Sequence, residues 1–292
     1  MTRFIRSLQE VLADFDVAVL DQWGVLHDGT TPYPHAIEAI GMLADHGKQM
    51  IVVSNSGKRA ELNRARMQRL GLPMSCIGDV VTSGEALWDD IRRGRLTVHG
   101  SVPKTLFPIC ATFQDAVDWS SGCDKIKLRD TLDDSVDAIL LMGLSEEARE
   151  DDYDDAFDKA IAGGIPVVCS NPDKSSPRAG GLIISPGHLA DRFCVMGGVV
   201  IWYGKPHVAI YNAVQRAYPD VQPNRFLMVG DSLEHDIGGA QNIGFASAFV
   251  RSGVHRNDFD EASENREQQK VLARLSARAG VNPPKFCLKC FA

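Results

Sequence analysis

The chain has 292 residues, a formal net charge of −7, 24% charged residues and 44% hydrophobic residues. This composition is typical of a globular protein with one large domain or two unequal ones. The negative charge argues against a nucleic-acid or anionic-membrane partner, and no apolar run approaches the ~20 residues that span a bilayer. The seven scattered cysteines favour a reducing compartment over a disulfide framework, so we expect a cytoplasmic protein.

The first segment, residues 1–16, has apolar side chains at helical spacing and lacks the continuous apolar core of a signal peptide. We therefore expect an amphipathic helix that packs on the body of the protein. The apolar positions are Phe4, Ile5, Leu8, Val11 and Leu12.

Short apolar runs alternate with helical patterns along much of the chain. Continuous apolar character predicts strands that are buried on both faces, at 16–24, 49–57, 79–82, 225–232 and 245–250. Helical patterns follow Pro34, begin near Lys58, and extend from Pro206 to about Ala217. Alternating strands and helices predict an open parallel α/β sheet that is flanked by helices.

A second α/β pattern lies inside the first. Strands are expected at 96–100, 136–144 and 165–173, and a helix over about 153–161 ends at the glycine pair that follows it. More than a hundred residues with several elements suffice for a separate domain. We predict a core made of 1–83 and 199–292, with 84–198 as an inserted α/β domain.

Polar residues at the ends of these strands are candidates for a binding site, since ligands of an open α/β sheet bind at the carboxyl ends of its strands. The candidates are Asp21, Ser54, Lys205, Asp231 and Asp236. Taken singly, each is more often a turn, cap or surface residue. Together they suit phosphoryl transfer. A carboxylate can attack phosphorus, carboxylate oxygens can hold Mg²⁺, and a lysine with hydroxyl and backbone N–H groups can bind the transferring oxygens.

These residues stand in four motifs that resemble those of the haloacid dehalogenase-like (HAD) superfamily. The motifs are Asp21 with GVLHDG, Ser54–Asn55, the Gly-Lys-Pro at 204–206, and GDSLEHDIGGA at 230–240. The long insertion resembles a class II cap, and VVTSGEAL, SNPD and GKPH narrow the resemblance to class IIA. That class includes nitrophenyl, pyridoxal, phosphoglycolate and nucleotide phosphatases. The resemblance implies a HAD core sheet with a class IIA cap at 84–198.

The resemblance also implies roles for individual residues. Asp21 would be the nucleophile that forms an aspartyl-phosphate, and Lys205 would assist catalysis by binding the phosphate. The implied Mg²⁺ ligands are Asp21, the backbone carbonyl of Trp23, Asp231 and Asp236. The expected phosphate- or substrate-binding residues are Ser54, Asn55 and, in the cap, Asp173. The expected partner is a small phosphorylated metabolite. Relatives of this class often form dimers through the cap, and the sequence permits a homo-oligomer.

Trp23 departs from the family pattern, which normally has a second aspartate there to protonate the leaving oxygen and activate water. Such assistance contributes ~10²–10⁴-fold, and indole cannot supply it. We expect neither neighbouring loop residue to replace the acid: His27 should be structural or solvent-facing, and Asp28 a turn residue. The expected function is slow hydrolysis of small phosphomonoesters with good leaving groups. The alternatives are a non-catalytic phosphometabolite-binding protein and phosphonate or halide cleavage, although the Asp231/Asp236 pair disfavours halide chemistry.

Overall fold

The computed structural model describes residues 2–178, 181–259, 262 and 264–292. The chain divides into two compact units. The core unit contains the described parts of Met1–Ser54, Glu61–Val81 and Lys205–Ala292. The inserted unit contains the described parts of Asn55–Ala60 and Thr82–Gly204. The domain boundaries at 83/84 and 198/199 stay a prediction, because a division by contacts does not test which segments fold independently.

The described residues form short strands and helices that alternate over most of the chain. The strands are β1 Arg3–Phe4, β2 Val17–Asp21, β3 Gln49–Ser54, β4 Asp79–Thr82, β5 Thr105–Ile109, β6 Lys127–Leu128, β7 Ala138–Leu141, β8 Val167–Cys169, β9 Ser175–Arg178, β10 Gly181–Ile184, β11 Val200–Trp202, β12 Phe226–Gly230, β13 Ala246–Val250 and β14 Phe286–Leu288. The α-helices are α1 Pro34–Asp45, α2 Ala60–Arg69, α3 Ser83–Arg92, α4 Phe113–Ser120, α5 Asp154–Ala162, α6 Pro186–Val195, α7 Val208–Ala217, α8 Gly239–Asn242 and α9 Asn265–Ala279. None of the described helices is both long and apolar enough to cross a bilayer.

The core unit is built on a sheet with the strand order β1–β14–β13–β12–β2–β3–β4. The pairings from β1 across to β3 are parallel. Val17, Ala18, Val19 and Leu20 of β2 are all fully buried, as expected for a central strand with helices on both faces. The parallel α/β fold is therefore confirmed. Since the strands run in one direction, β2, β3 and β12 end at the same edge of the sheet.

The inserted unit has its own sheet with the order β11–β8–β7–β5–β6, whose pairings are parallel. An antiparallel hairpin of β9 and β10 accompanies it. Helices α5 and α6 pack on this sheet through buried side chains, among them Phe157 and Phe193, whose ring centroids are 5.0 Å apart. The inserted unit therefore has a hydrophobic core of its own.

Three local predictions were wrong. The N-terminal segment is not one α-helix, because Arg3–Phe4 pairs with β14 and the following 3₁₀ segment, Leu8–Asp14, is interrupted at Val11. Residues 96–100 are not a strand, because His99 and Gly100 have φ of 49° and 79° and close a turn in which Val98 and Ser101 exchange backbone hydrogen bonds. Helix α7 begins two residues after Pro206, since the intervening His207 has an extended backbone.

Candidate active site

A buried lysine joins two of the predicted acidic residues. Lys205, which is 3% exposed, donates from Nζ to Asp21 Oδ1 at 2.5 Å and to Asp236 Oδ1 at 2.6 Å. Asp21 is the last residue of β2, and Asp236 lies in a π-helical segment, Leu233–Gly238, that follows β12. Two residues that are more than two hundred positions apart in the sequence thus share one cation.

Asp231 adds a third carboxylate directly after β12. One oxygen each from Asp21, Asp231 and Asp236 lies within 4.8 Å of the others. Backbone N–H groups hold two of these carboxylates in place: Val254 donates to Asp231 Oδ2 at 2.9 Å, and Ser232 donates to Asp236 Oδ2 at 3.0 Å. Buried carboxylate oxygens at this spacing are the donors that Mg²⁺ prefers, so this donor set fits that ion.

The ionised forms of these carboxylates are disfavoured, because one lysine cannot neutralise three buried negative charges. Burial raises the pKa of Asp21 well above its usual range, and the charges of Asp236 and Asp231 raise it further, while Lys205 lowers it. Burial, with Asp236 beside it, raises the pKa of Asp231 to about 7. Burial alone would lower the pKa of Lys205, but Asp21 and Asp236 raise it above its usual value. The two carboxylates therefore favour the charged form of Lys205, and one lysine for three carboxylates favours a divalent cation at this site.

Three glycines make room for the carboxylates. A Cβ at Gly24, where φ is +75°, or at Gly253 would overlap with the Asp231 carboxyl group. A Cβ at Gly230 would overlap with Asp236. The acidic cluster therefore has its shape partly because these positions carry no side chain.

The loop that follows Asp21 holds Trp23 at its surface. The Trp23 side chain is 37% exposed, and its ring occupies the space that a Cβ of Gly29 would need. The imidazole of His27 lies edge-on to it, with ring centroids 5.5 Å apart. The guanidinium of Arg66, from α2, lies 5.1 Å from the indole centroid. Trp23 is therefore packed on several sides and still presents surface to solvent.

Neither neighbour of Trp23 in this loop is free to act as the acid. His27 is fully buried, its Nδ1 accepts the Gly29 N–H at 3.0 Å, and burial lowers its pKa to about 4. Asp28 accepts hydrogen bonds from the N–H and hydroxyl groups of Thr30 and Thr31, which confirms it as a turn residue. His27 has a structural role, as expected.

The remaining predicted site residues lie in two places. Ser54 is the buried last residue of β3, the strand that pairs with β2. In the inserted unit, Asn55 Nδ2 donates to Asp173 Oδ1 at 2.8 Å, and the Asp173 N–H donates to Asn171 Oδ1 at 3.1 Å. One cluster thus consists of Asp21, Lys205, Asp231 and Asp236. The hydrogen-bonded pair of Asn55 and Asp173 is a separate group in the inserted unit. The functional roles of these residues stay predictions.

Sequence reasoning missed a contribution from Tyr211. Its hydroxyl donates to the backbone carbonyls of His235 at 2.8 Å and of Asp236 at 3.2 Å. Its ring occupies the space that a Cβ of Gly239 would need. Tyr211 therefore anchors the π-helical segment that carries Asp236. The sequence predicted a helix over this segment, and helical spacing does not indicate a hydrogen bond from the Tyr211 hydroxyl.

Two family models match separate parts of the chain, and both describe haloacid dehalogenase-like hydrolases. Residues 18–103 match a family model described as haloacid dehalogenase-like hydrolase, and residues 202–277 match one described as HAD-hydrolase-like. A curated relative from Danio rerio, the phospholysine phosphohistidine inorganic pyrophosphate phosphatase, is 25% identical over 280 residues, which cover 93% of this chain and 95% of the relative.

Two solved structures are similar over most of the fold. A hydrolase of the haloacid dehalogenase-like family from Brucella suis is 26% identical, with a TM-score of 0.77 and coverage of 99% of this chain and 100% of its own. A glycerol phosphate phosphatase from Mycobacterium tuberculosis, solved with magnesium, is 24% identical, with a TM-score of 0.66 and coverage of 86% and 73%. The second similarity concerns the fold alone.

Proposed function

We propose that this chain, which belongs to the haloacid dehalogenase-like superfamily, is a class IIA member and a Mg²⁺-dependent hydrolase of small phosphate monoesters that works through an aspartyl-phosphate on Asp21. The observation that carries the proposal is the buried cluster in which Lys205 contacts Asp21 and Asp236, with Asp231 beside them. The substrate would be a small phosphorylated metabolite. The curated relative named above is itself a phosphatase.

The metal would be held by the three carboxylates of this cluster and by the backbone carbonyl of Trp23. When bound, Mg²⁺ supplies positive charge that offsets the repulsion between Asp21 and the incoming phosphate. The proposal is supported by three oxygen donors within 4.8 Å of one another and by the raised pKa of Asp231, which is caused by burial and by the charge of Asp236. A relative with this fold is known in complex with magnesium.

The reaction would proceed at Asp21 in two displacements. Lys205 holds the carboxylate by its hydrogen bond and, with Ser54, binds the nonbridging oxygens of the phosphate. A carboxylate oxygen of Asp21 attacks phosphorus, the P–O ester bond breaks with its electron pair on the leaving oxygen, which takes a proton from solvent, and the aspartyl-phosphate forms. Water then attacks the phosphorus, the bond between phosphorus and the Asp21 oxygen breaks, and inorganic phosphate, the free carboxylate and a proton to solvent are released. Asn55 and Asp173, which hydrogen-bond each other, would contact the substrate.

Trp23 would make this enzyme slow and selective for its leaving group. Indole cannot give the leaving oxygen a proton, His27 is buried and neutral, and the Asp28 carboxylate is occupied by the turn. Esters whose leaving oxygen departs without a proton, such as aryl and acyl phosphates, should therefore react best. The same loop favours a second function, binding of a phosphometabolite without turnover. Phosphonate or halide cleavage would need a different reactive arrangement, and the acidic cluster supports a metal-dependent ester reaction instead.

The test of hydrolysis is release of phosphate from p-nitrophenyl phosphate with and without Mg²⁺. Wild type should release phosphate only when Mg²⁺ is present. Asp21→Asn should release no phosphate under either condition. Asp16→Asn is the matched control, because it makes the same change at a surface carboxylate that pairs with Arg225. Release by Asp21→Asn at the wild-type rate would exclude Asp21 as the nucleophile.

Trp23→Asp separates a slow enzyme from a binding protein. If only the proton donor is missing, restoring a carboxyl group should raise kcat for alkyl phosphates by up to ~10²–10⁴-fold. No gain, in a variant that is folded and still stabilised by Mg²⁺, would favour the binding function.

A further inference from the structure

We propose that the Trp23 indole is a specificity-determining surface, which favours phosphate esters of flat aromatic alcohols over esters of non-planar alcohols of the same size. The inference rests on the proposed function, because it assumes that phosphate binds at Asp21. It goes beyond the missing acid: it gives the side chain at this position a positive role in substrate choice.

The first support is the way the loop holds the indole. Gly29 has φ of +99°, and the ring lies where a Cβ of that residue would be. The loop backbone is closed beneath Trp23, where Gly24 N–H donates to the His27 carbonyl at 3.0 Å and Leu26 N–H donates to the Gln22 carbonyl at 2.8 Å. The indole therefore packs directly against the backbone at Gly29.

Arg66 supplies a second restraint on the ring. Its guanidinium lies 5.1 Å from the indole centroid, within the range of a cation–π contact. One of its nitrogens, Nη2, donates to the Gly29 carbonyl at 2.9 Å, so the arginine is tied to the same loop. Helix α2 thereby fixes the position of Trp23 from outside the loop. A fixed ring gives up little entropy when a ligand packs on it.

The third support is the exposure of a ring that is so well packed. Trp23 keeps 37% of its surface accessible and lies two residues after Asp21, whereas Trp119 of the inserted unit is 1% exposed. Tryptophan has a large apolar body, and an exposed aromatic ring at a ligand site is a surface on which a second ring can stack. Trp23 is two residues from Asp21 in the chain, so its exposed ring belongs to the loop that follows the reacting carboxylate.

The chemistry of the leaving group points to the same ligands. A phenol-type oxygen departs as an anion more readily than an alkyl alcohol and so depends less on an acid. Trp23 stands where the family has the acid. It therefore offers a stacking surface to phenol-type leaving groups, which depend least on that acid. Leaving-group acidity alone would treat aryl and acyl phosphates alike, whereas a stacking surface would prefer the aryl ester.

The test compares the binding of phenylphosphonate and cyclohexylphosphonate, which have the same number of carbons but differ in planarity. Both are measured by calorimetry with Mg²⁺ present, on wild type, Trp23→Leu and Trp23→Phe. Ring stacking predicts that wild type binds the phenyl compound roughly threefold to tenfold more tightly. Trp23→Leu should remove this preference, and Trp23→Phe should keep part of it. Phe113→Leu, at a 46% exposed aromatic residue of α4, is the control and should keep it all.

The outcomes separate this inference from the proposed function, since these phosphonates contain no P–O–C ester bond for the proposed hydrolysis to break. A phenyl preference that depends on Trp23, without release of phosphate from p-nitrophenyl phosphate, would support the aromatic surface and refute the proposed hydrolase activity. Phosphate release without a phenyl preference, or with a preference that Trp23→Leu leaves intact, keeps the hydrolase and overturns the inference. Failure of folded wild type to bind either phosphonate overturns it as well.

Discussion

Asp231→Asn should stabilise the metal-free protein at alkaline pH and abolish its stabilisation by Mg²⁺. Asp231 is 3% exposed, and burial with the neighbouring Asp236 raises its pKa to about 7 from an ordinary value of 3.8. Above that pH the folded protein contains an ionised carboxylate in a site that disfavours it. An asparagine keeps an oxygen that can accept the Val254 N–H and removes the charge.

The magnitude follows from the difference in pKa between the folded and unfolded states. A shift of about three units, at about 1.4 kcal/mol per unit, corresponds to on the order of 4 kcal/mol, an upper bound that the amide's own burial reduces. Because the folded pKa is raised, the folded state binds the proton more tightly. The stability of wild type is therefore fully present below 3.8 and falls as the pH rises through 7. The advantage of Asp231→Asn should grow over the same window.

The assay is urea unfolding of both proteins from about pH 5 to about pH 9, with a chelator and then with excess Mg²⁺. Asp16→Asn again provides the control, with the opposite sign, because the hydrogen bond from Arg225 lowers the pKa of Asp16 and the charge there is favourable. Mg²⁺ should raise the unfolding free energy of wild type and leave Asp231→Asn unchanged. If the metal-free variant has the same stability relative to wild type at about pH 5 and about pH 9, the reasoning about a costly buried charge is wrong.

Two further changes test the packing around the cluster. Gly253→Ala places a methyl group against Asp231 and should cost about 1–3 kcal/mol in unfolding free energy while weakening stabilisation by Mg²⁺. Gly41→Ala, in α1 with open space around it, should instead add about 1 kcal/mol, and equal effects of the two substitutions in urea would contradict this account. Tyr211→Phe removes the hydroxyl that anchors the segment carrying Asp236; it should cost about 1–2 kcal/mol by the same measurement, and a neutral result would mean that the hydrogen bond is dispensable.

The sequence predicted the parallel core because its central strands carry their own signal. Val17–Asp21 and Phe226–Gly230 read as buried apolar runs, and both lie at the centre of the sheet. The edge strand β1 could not be predicted in this way, whereas β4 at the opposite edge was predicted. Arg3–Phe4 is a strand only because Phe286 and Cys287 lie beside it, and a pairing across the whole length of the chain leaves no trace in local spacing.

The acidic cluster was predictable in outline, since parallel strands end at one edge and carry Asp21 and Asp231 there. The double contact of Lys205 with Asp21 and Asp236 was not, because it depends on the path of the loop between Gly204 and α7. The restraints on Trp23 were also beyond the sequence, because Arg66 reaches it from a separate helix.

The glycines around the acidic cluster also determine how easily mutation can damage it. Gly24, Gly230 and Gly253 lie so close to Asp231 or Asp236 that an added Cβ would overlap with the carboxyl group. Every glycine codon becomes an alanine codon by one base change, so a single-base substitution can disturb the site from three separate positions, the end of β12 and two loops. Alanine scanning measures the effect of removing a side chain, whereas at a glycine the alanine adds one. At these three positions the requirement is the absence of a Cβ, and variation there should be as restricted as at the carboxylates themselves.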